Sequence, residues 1–142
     1  MVNSESEDKI WCECNLESFE SMVSEIEKLY PIKILQMPLL CMTMVKAEDS
    51  VEFQPFYLGE ALTTETEVQI DDKIGIGLCL GDEPVRSYCI AVMDALRQLP
   101  GEKPSLIQNF LKKEGERLEK EKLVEHNHIL RTKVDFKLME QD

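Results

Sequence analysis

The chain has 142 residues, with 16 Lys and Arg against 28 Asp and Glu, a formal net charge of −12. Hydrophobic residues make up 43% and charged residues 31%, so one self-supporting core is expected rather than a disordered polymer. The acidic balance argues against nonspecific nucleic-acid binding and against attraction to an anionic membrane surface.

Residues 1–10 are polar and acidic and read as a flexible tail, with residues 11–142 as one domain. The start lacks the basic and apolar regions of a signal peptide, and no run is long enough to span a membrane. A cytoplasmic location is the expectation. Five cysteines, with Cys41, Cys79 and Cys89 in apolar or helical patterns, read as reduced thiols.

Asn15 is placed to cap a helix whose apolar stripe is Leu16, Phe19, Met22, Val23, Ile26 and Leu29. Pro31 ends it. Tail and helix together hold eight acids and two lysines, giving a negative outer face. A short strand is expected at Ile32–Leu35, a turn at Met37-Pro38, and a well-buried second strand at Leu39–Val45.

From Pro55 to Leu80 the pattern is that of a hairpin. Leu62, Thr64, Thr66, Val68 and Ile70 alternate with Thr63, Glu65, Glu67 and Gln69, and Asp71-Asp72-Lys73 makes the turn. The returning strand carries Gly75 and Gly77, and glycine inside a strand marks a bulge or a close backbone approach. Asp82 is the expected N-cap of the next helix, with Pro84 in its first turn. Its stripe is Val85, Tyr88, Cys89, Val92, Leu96 and Leu99, and Pro100-Gly101 ends it.

A last helix is expected from near Pro104 to about Val124, with five acids and five bases between Lys112 and Glu125. His126-Asn127-His128 reads as the loop that ends it, and Lys133–Met139 as an amphipathic edge strand. The order α-β-β-β-β-α-α-β favours a single α+β domain, its mostly antiparallel sheet packed with N-terminal and C-terminal helices.

No chemical motif assembles. Gly75-Ile76-Gly77 through Gly81 fits neither G-x-G-x-x-G nor the phosphate-loop spacing. Cys12-Glu13-Cys14 is one residue short of a zinc pair. The two histidines lack a third ligand at helical spacing.

Three blocks in order, Pro55–Thr64, Ile74–Asp82 and Ala91–Leu96, together with Trp11 and Lys133-Val134-Asp135-Phe136, resemble the PhnG family of bacterial phosphonate breakdown. Its members are the G-type components of the carbon–phosphorus lyase core complex. The resemblance implies an accessory subunit, without catalytic, cofactor or metal residues of its own, that assembles with H-, I- and J-type subunits and an ATPase-like L-type one. Together they would form alpha-D-ribose 1-methylphosphonate 5-triphosphate from ATP and methylphosphonate, and the isolated subunit would self-associate. The motif residues that become candidates for partner contacts are Phe56, Gly59, Glu60, Glu65, Gly75, Gly77, Gly81, Asp82 and Asp94. Glu65 stands where the family carries an arginine, and the first helix is less basic around Trp11. These departures keep a second reading open, a divergent paralogue acting as a standalone enzyme or a homo-oligomeric structural protein.

Overall fold

A computed structural model describes residues 4–132. The elements run α1 (Ser4–Glu13), α2 (Leu16–Leu29), β1 (Ile32–Glu48), β2 (Pro55–Ile70), β3 (Lys73–Leu80), α3 (Pro84–Gln98) and α4 (Ser105–Thr132). The strands form one antiparallel sheet in the order β1-β2-β3. Helices cover one of its faces, which makes a single-domain α+β fold.

The N-terminus departs from the expected tail. Residues 4–10 belong to α1, whose Glu7, Ile10 and Trp11 are buried. Composition hides this because the acids look solvated, yet they have distant partners. Glu7 pairs with Lys103, and Asp8 accepts from Arg97 at 2.6 Å. Trp11 then stacks on Phe19 and Phe110 at centroid distances of 5.0 and 5.9 Å. That three-ring cluster joins α1, α2 and α4, an arrangement favourable beyond its buried area.

Helix α2 follows its expected pattern. The Asn15 side chain accepts from the Ser18 amide at 3.0 Å, and Phe19, Met22, Val23 and Ile26 are buried. Leu29, the last residue of the stripe, is exposed.

One long strand replaces the two expected between Ile32 and Val45. Its register against β2 shifts between Ile34 and Gln36 and again between Gln36 and Leu39, so Met37-Pro38 is an irregularity inside β1 and not a turn. A bulge absorbs the proline that regular pairing would reject. The strand is also not well buried: Leu39, Leu40, Met42 and Met44 are all exposed.

The β2–β3 hairpin has a two-residue turn, with Asp71 at φ +54°, a conformation Asp tolerates. Thr64, Thr66, Val68 and Ile70 face the helices. Opposite them in β3, Gly75 and Gly77 let α3 approach closely. A Cβ on Gly75 would stand 2.5 Å from the Ala95 nitrogen, and one on Gly77 2.6 Å from that of Ala91. Thr66 and Ser87 share a buried hydroxyl hydrogen bond at 2.7 Å, and Ser87 also donates to the Gly77 carbonyl at 2.9 Å.

Helix α3 starts one residue later than expected. Glu83 is the N-cap and makes no side-chain cap bond, Pro84 is at the start, and Asp82 lies exposed in the preceding turn. The Thr64 hydroxyl holds the turn before the helix, accepting from the Glu83 amide at 3.1 Å while donating to Gly81 O at 2.6 Å. Helix α4 continues to Thr132. His126-Asn127-His128 is therefore helical, not a loop, because the chain between Lys112 and Thr132 contains no proline to stop it. The edge strand expected at Lys133–Met139 lies outside the described residues.

Candidate functional site

The sheet is unequal in width. Strand β3 pairs only with Thr63–Ile70 of β2, whereas β1 follows β2 back to Pro55. Beyond Leu62 toward the tip, β1 and β2 therefore form a two-stranded arm with no third strand. At roughly 3.3 Å per residue, the 16 residues of β2 span about 50 Å, and close to half of that lies in the arm.

Many of the arm's side chains are apolar and open to solvent, with the charged Lys46, Glu48 and Glu60 interspersed. Met42, Met44 and Val45 of β1 and Phe56, Tyr57, Leu58 and Leu62 of β2 are all exposed. At its tip Asp49 organises the loop. It accepts from Val51 through its side chain at 2.9 Å and from the Phe53 amide through its carbonyl at 2.8 Å. Phe53 is held at φ +56° with 73% of its surface exposed. A bulky residue in the left-handed region is a strained outlier, and here the strain presents an aromatic ring to solvent.

A second apolar row lies on the sheet face away from the helices. Ile74, Ile76, Leu78 and Leu80 of β3 are exposed there, beside Glu65 and Glu67 of β2. No element packs against this face among the described residues.

The sheet edges are interrupted at both β3 and the start of β1, while Leu39–Val45 of β1 and Pro55–Leu62 of β2 keep open edges along the arm and at its base. On the β3 side, Asp94 of α3 accepts from the Ile76 amide at 2.9 Å, and Gln98 donates to the Ile74 carbonyl at 2.7 Å. On the β1 side, the bulges and Pro38 break the run of donors.

No activated nucleophile is present among the described residues. Burial pushes the Cys79 thiol up to about 11, with the Glu83 carboxylate adding to the shift. Burial likewise lifts Cys89 to about 12, so both are neutral thiols at physiological pH. Burial also raises Cys14, although the neighbouring Arg86 pulls the other way. No group of three or more His, Cys, Asp or Glu side chains converges to hold a metal among the described residues. The cleft between α1 and α4, about 440 Å³, is lined by Glu13, Glu119, Glu121 and Glu125 against Lys9 and Lys122. That excess of carboxylate repels a polyphosphate.

A family model described as phosphonate metabolism protein PhnG matches residues 8–141. The chain belongs to the PhnG family. The family is linked to phosphonate metabolism. A search of curated proteins returned no match.

In this PhnG-family chain the candidate residues separate into two groups. Phe56, Gly59 and Glu60 lie on the arm, and Glu65 lies on the open sheet face beside it, with the Cys41 thiol 3.9 Å from its carboxylate. Gly75, Gly77, Gly81 and Asp94 sit at the junction of β3 and α3, with Asp82 exposed next to Gly81. Gly81 occupies φ +81° and donates to Leu62 O at 2.8 Å. Asp94 has the intramolecular role that its sequence position conceals. Replacing it with Ala is expected to lower stability by about 1 kcal/mol through loss of the Ile76 bond. Asn keeps the acceptor and should retain most of it in urea denaturation. An Asn variant as weak as Ala would assign the effect to charge instead.

Sequence reasoning missed Arg86 and the arm. Arg86 is buried and donates to the carbonyls of Trp11 at 2.9 Å and Cys14 at 3.0 Å. It lies outside the α3 stripe read from the sequence, and no local pattern there points to its burial. The arm could have been suspected from Phe56-Tyr57-Leu58, a run without the polar alternation of a half-buried strand. No described helix is long and apolar enough to cross a membrane.

Proposed function

We propose that this protein is an accessory subunit of the carbon–phosphorus lyase assembly, seated among H-, I- and J-type subunits through its apolar arm. In that role it supports the transfer that forms alpha-D-ribose 1-methylphosphonate 5-triphosphate from ATP and methylphosphonate. Its partners, the I-type and L-type subunits among them, bind the nucleotide. On this reading Phe56, Glu60 and Glu65 meet a partner, while Gly75, Gly77, Gly81 and Asp94 shape the fold that carries them.

The observation that carries the reading is the arm. A two-stranded ribbon is marginal in water by itself, and a concentration of exposed large apolar side chains on it favours an interaction site. This one concentrates methionine and aromatic side chains, the types enriched at protein interfaces. Family membership supplies the metabolic setting.

The test is co-expression with the I-type subunit, followed by size-exclusion chromatography with light scattering. The parent chain is expected in a shared peak, and a Met42→Glu/Met44→Glu variant in a separate one with an unchanged thermal unfolding curve. Separate peaks for the parent across a range of salt would defeat the reading, and a screen for small-molecule ligands would take its place.

A further inference from the structure

Under the bulged part of β1 lies an open trough of about 450 Å³, walled by α2 and α3. This is within the range of ligand-sized clefts, roughly 300–1,000 Å³. Its lining is largely apolar, with Val23 of α2, Met37 of β1 and Val85 of α3 beside Tyr88. Two carboxylates, Glu20 and Glu27, stand on its α2 rim. They are seven residues apart on one helical face, about 10 Å along the axis at 1.5 Å per residue.

The charge of the trough is one-sided. No Lys, Arg or His lines it. Neither glutamate has a basic partner among the described residues, although Glu27 accepts from the Tyr88 hydroxyl at 2.7 Å. The Met37-Pro38 irregularity breaks β1's edge at this point, which disfavours an added strand and leaves side-chain recognition.

We infer that this trough is a socket for an arginine side chain presented by a partner protein. The chemistry of the lining fits that occupant. Its apolar part takes the aliphatic stem, the Tyr88 ring suits the planar guanidinium, and the two carboxylates receive its donors. Arginine is weakly hydrated compared with an ammonium, so it enters such a half-apolar site at lower desolvation cost than lysine. The inference rests on the subunit reading above, since it names the chemistry of one contact in that assembly. It also accounts for a use of the acidic face of α2 that the arm does not provide.

The test uses the full-length chain, labelled for amide NMR, titrated with N-acetyl-arginine methylamide and with the corresponding blocked lysine and glutamine. The arginine compound is expected to shift the amides of Val23, Ser24, Glu27, Val85 and Tyr88 and to bind more tightly than the lysine one. A Glu20→Gln/Glu27→Gln variant, which keeps the acceptor for Tyr88, should weaken it about five-fold, as two exposed charge contacts allow. Equal shifts with the glutamine compound, shifts confined to other surfaces, or an unaltered affinity in the double variant would each overturn the socket. Self-association of the chain that the double variant abolishes would assign the trough to a second copy and overturn it as well. Co-elution of the parent chain with the I-type subunit is scored separately, so a silent trough in an assembling protein removes this inference alone. A binding trough in a chain that never assembles removes the subunit reading alone.

Discussion

Gly77→Ala is expected to destabilise the protein by about 3 kcal/mol, the upper end of what overpacking usually costs. The added Cβ would collide with the Ser87 carbonyl oxygen and lie 2.6 Å from the Ala91 nitrogen. Both are backbone atoms of α3, so no side chain can rotate aside. The helix must lift from β3, which also breaks the Ser87 hydrogen bonds to Gly77 and Thr66. Urea denaturation is the direct measurement, and a fall in melting temperature of roughly 10 °C is the calorimetric equivalent. Ile76→Ala, next door on the exposed face, should change stability far less. A Gly77→Ala protein within about 1 kcal/mol of the parent would show that α3 and β3 are not locked together as described.

The second large effect is expected at Arg86. Its guanidinium closes the end of α1, donating to the Cys14 carbonyl and to the Trp11 carbonyl, whose other donor is the weaker Cys14 thiol at 3.6 Å. Arg86→Leu leaves those acceptors in a buried site. The expected loss is about 3 kcal/mol, since bonds to charged donors contribute roughly 1.5–3 kcal/mol. The chain has a single tryptophan, which provides a local reporter. Loosening of α1 should shift the emission of Trp11 to the red before the global transition. Arg86→Lys is expected to recover only part of the loss, because one ammonium does not reproduce a planar fork with two fixed directions. An unchanged emission spectrum together with near-parent stability in Arg86→Leu would refute the closing role.

The parts of the fold set by short-range chemistry were legible in the sequence. The Asn15 cap, the α2 stripe as far as Ile26 and the turn at Asp71-Asp72 each depend on neighbours a few residues away. The two β3 glycines were readable as a close approach, although not which helix would occupy the space. What escaped depends on distant partners. Helix α1 is held by Lys103, Arg97 and Phe110, roughly ninety residues downstream. Glu83 rather than Asp82 is the N-cap of α3, and the hairpin brings the Thr64 hydroxyl to its amide. The strand from Leu39 to Val45 misled in a different way. Its apolar run suggested burial within this chain, whereas those side chains face solvent.

The candidate surface was legible as a list of residues but not as a shape. Phe56, Gly59 and Glu60 stood out through resemblance, yet their common position on an arm follows only from the short reach of β3. Asp94 was a candidate for a partner contact through the same resemblance, and its bond to Ile76 needs the α3–β3 packing to exist.

The spoiled edges of the sheet bear on how the free chain can fail. Polymerisation into stacked strands requires a continuous ladder of vacant amides. Asp94 and Gln98 interrupt it on β3 and Pro38 at the start of β1, whereas Leu39–Val45, which run into the arm, pair with β2 without a register shift. A newly made copy thus confines its exposure to strand addition to the arm, the segment that a partner would cover. Any clumping at high concentration should start at the arm and be suppressed when a partner covers it.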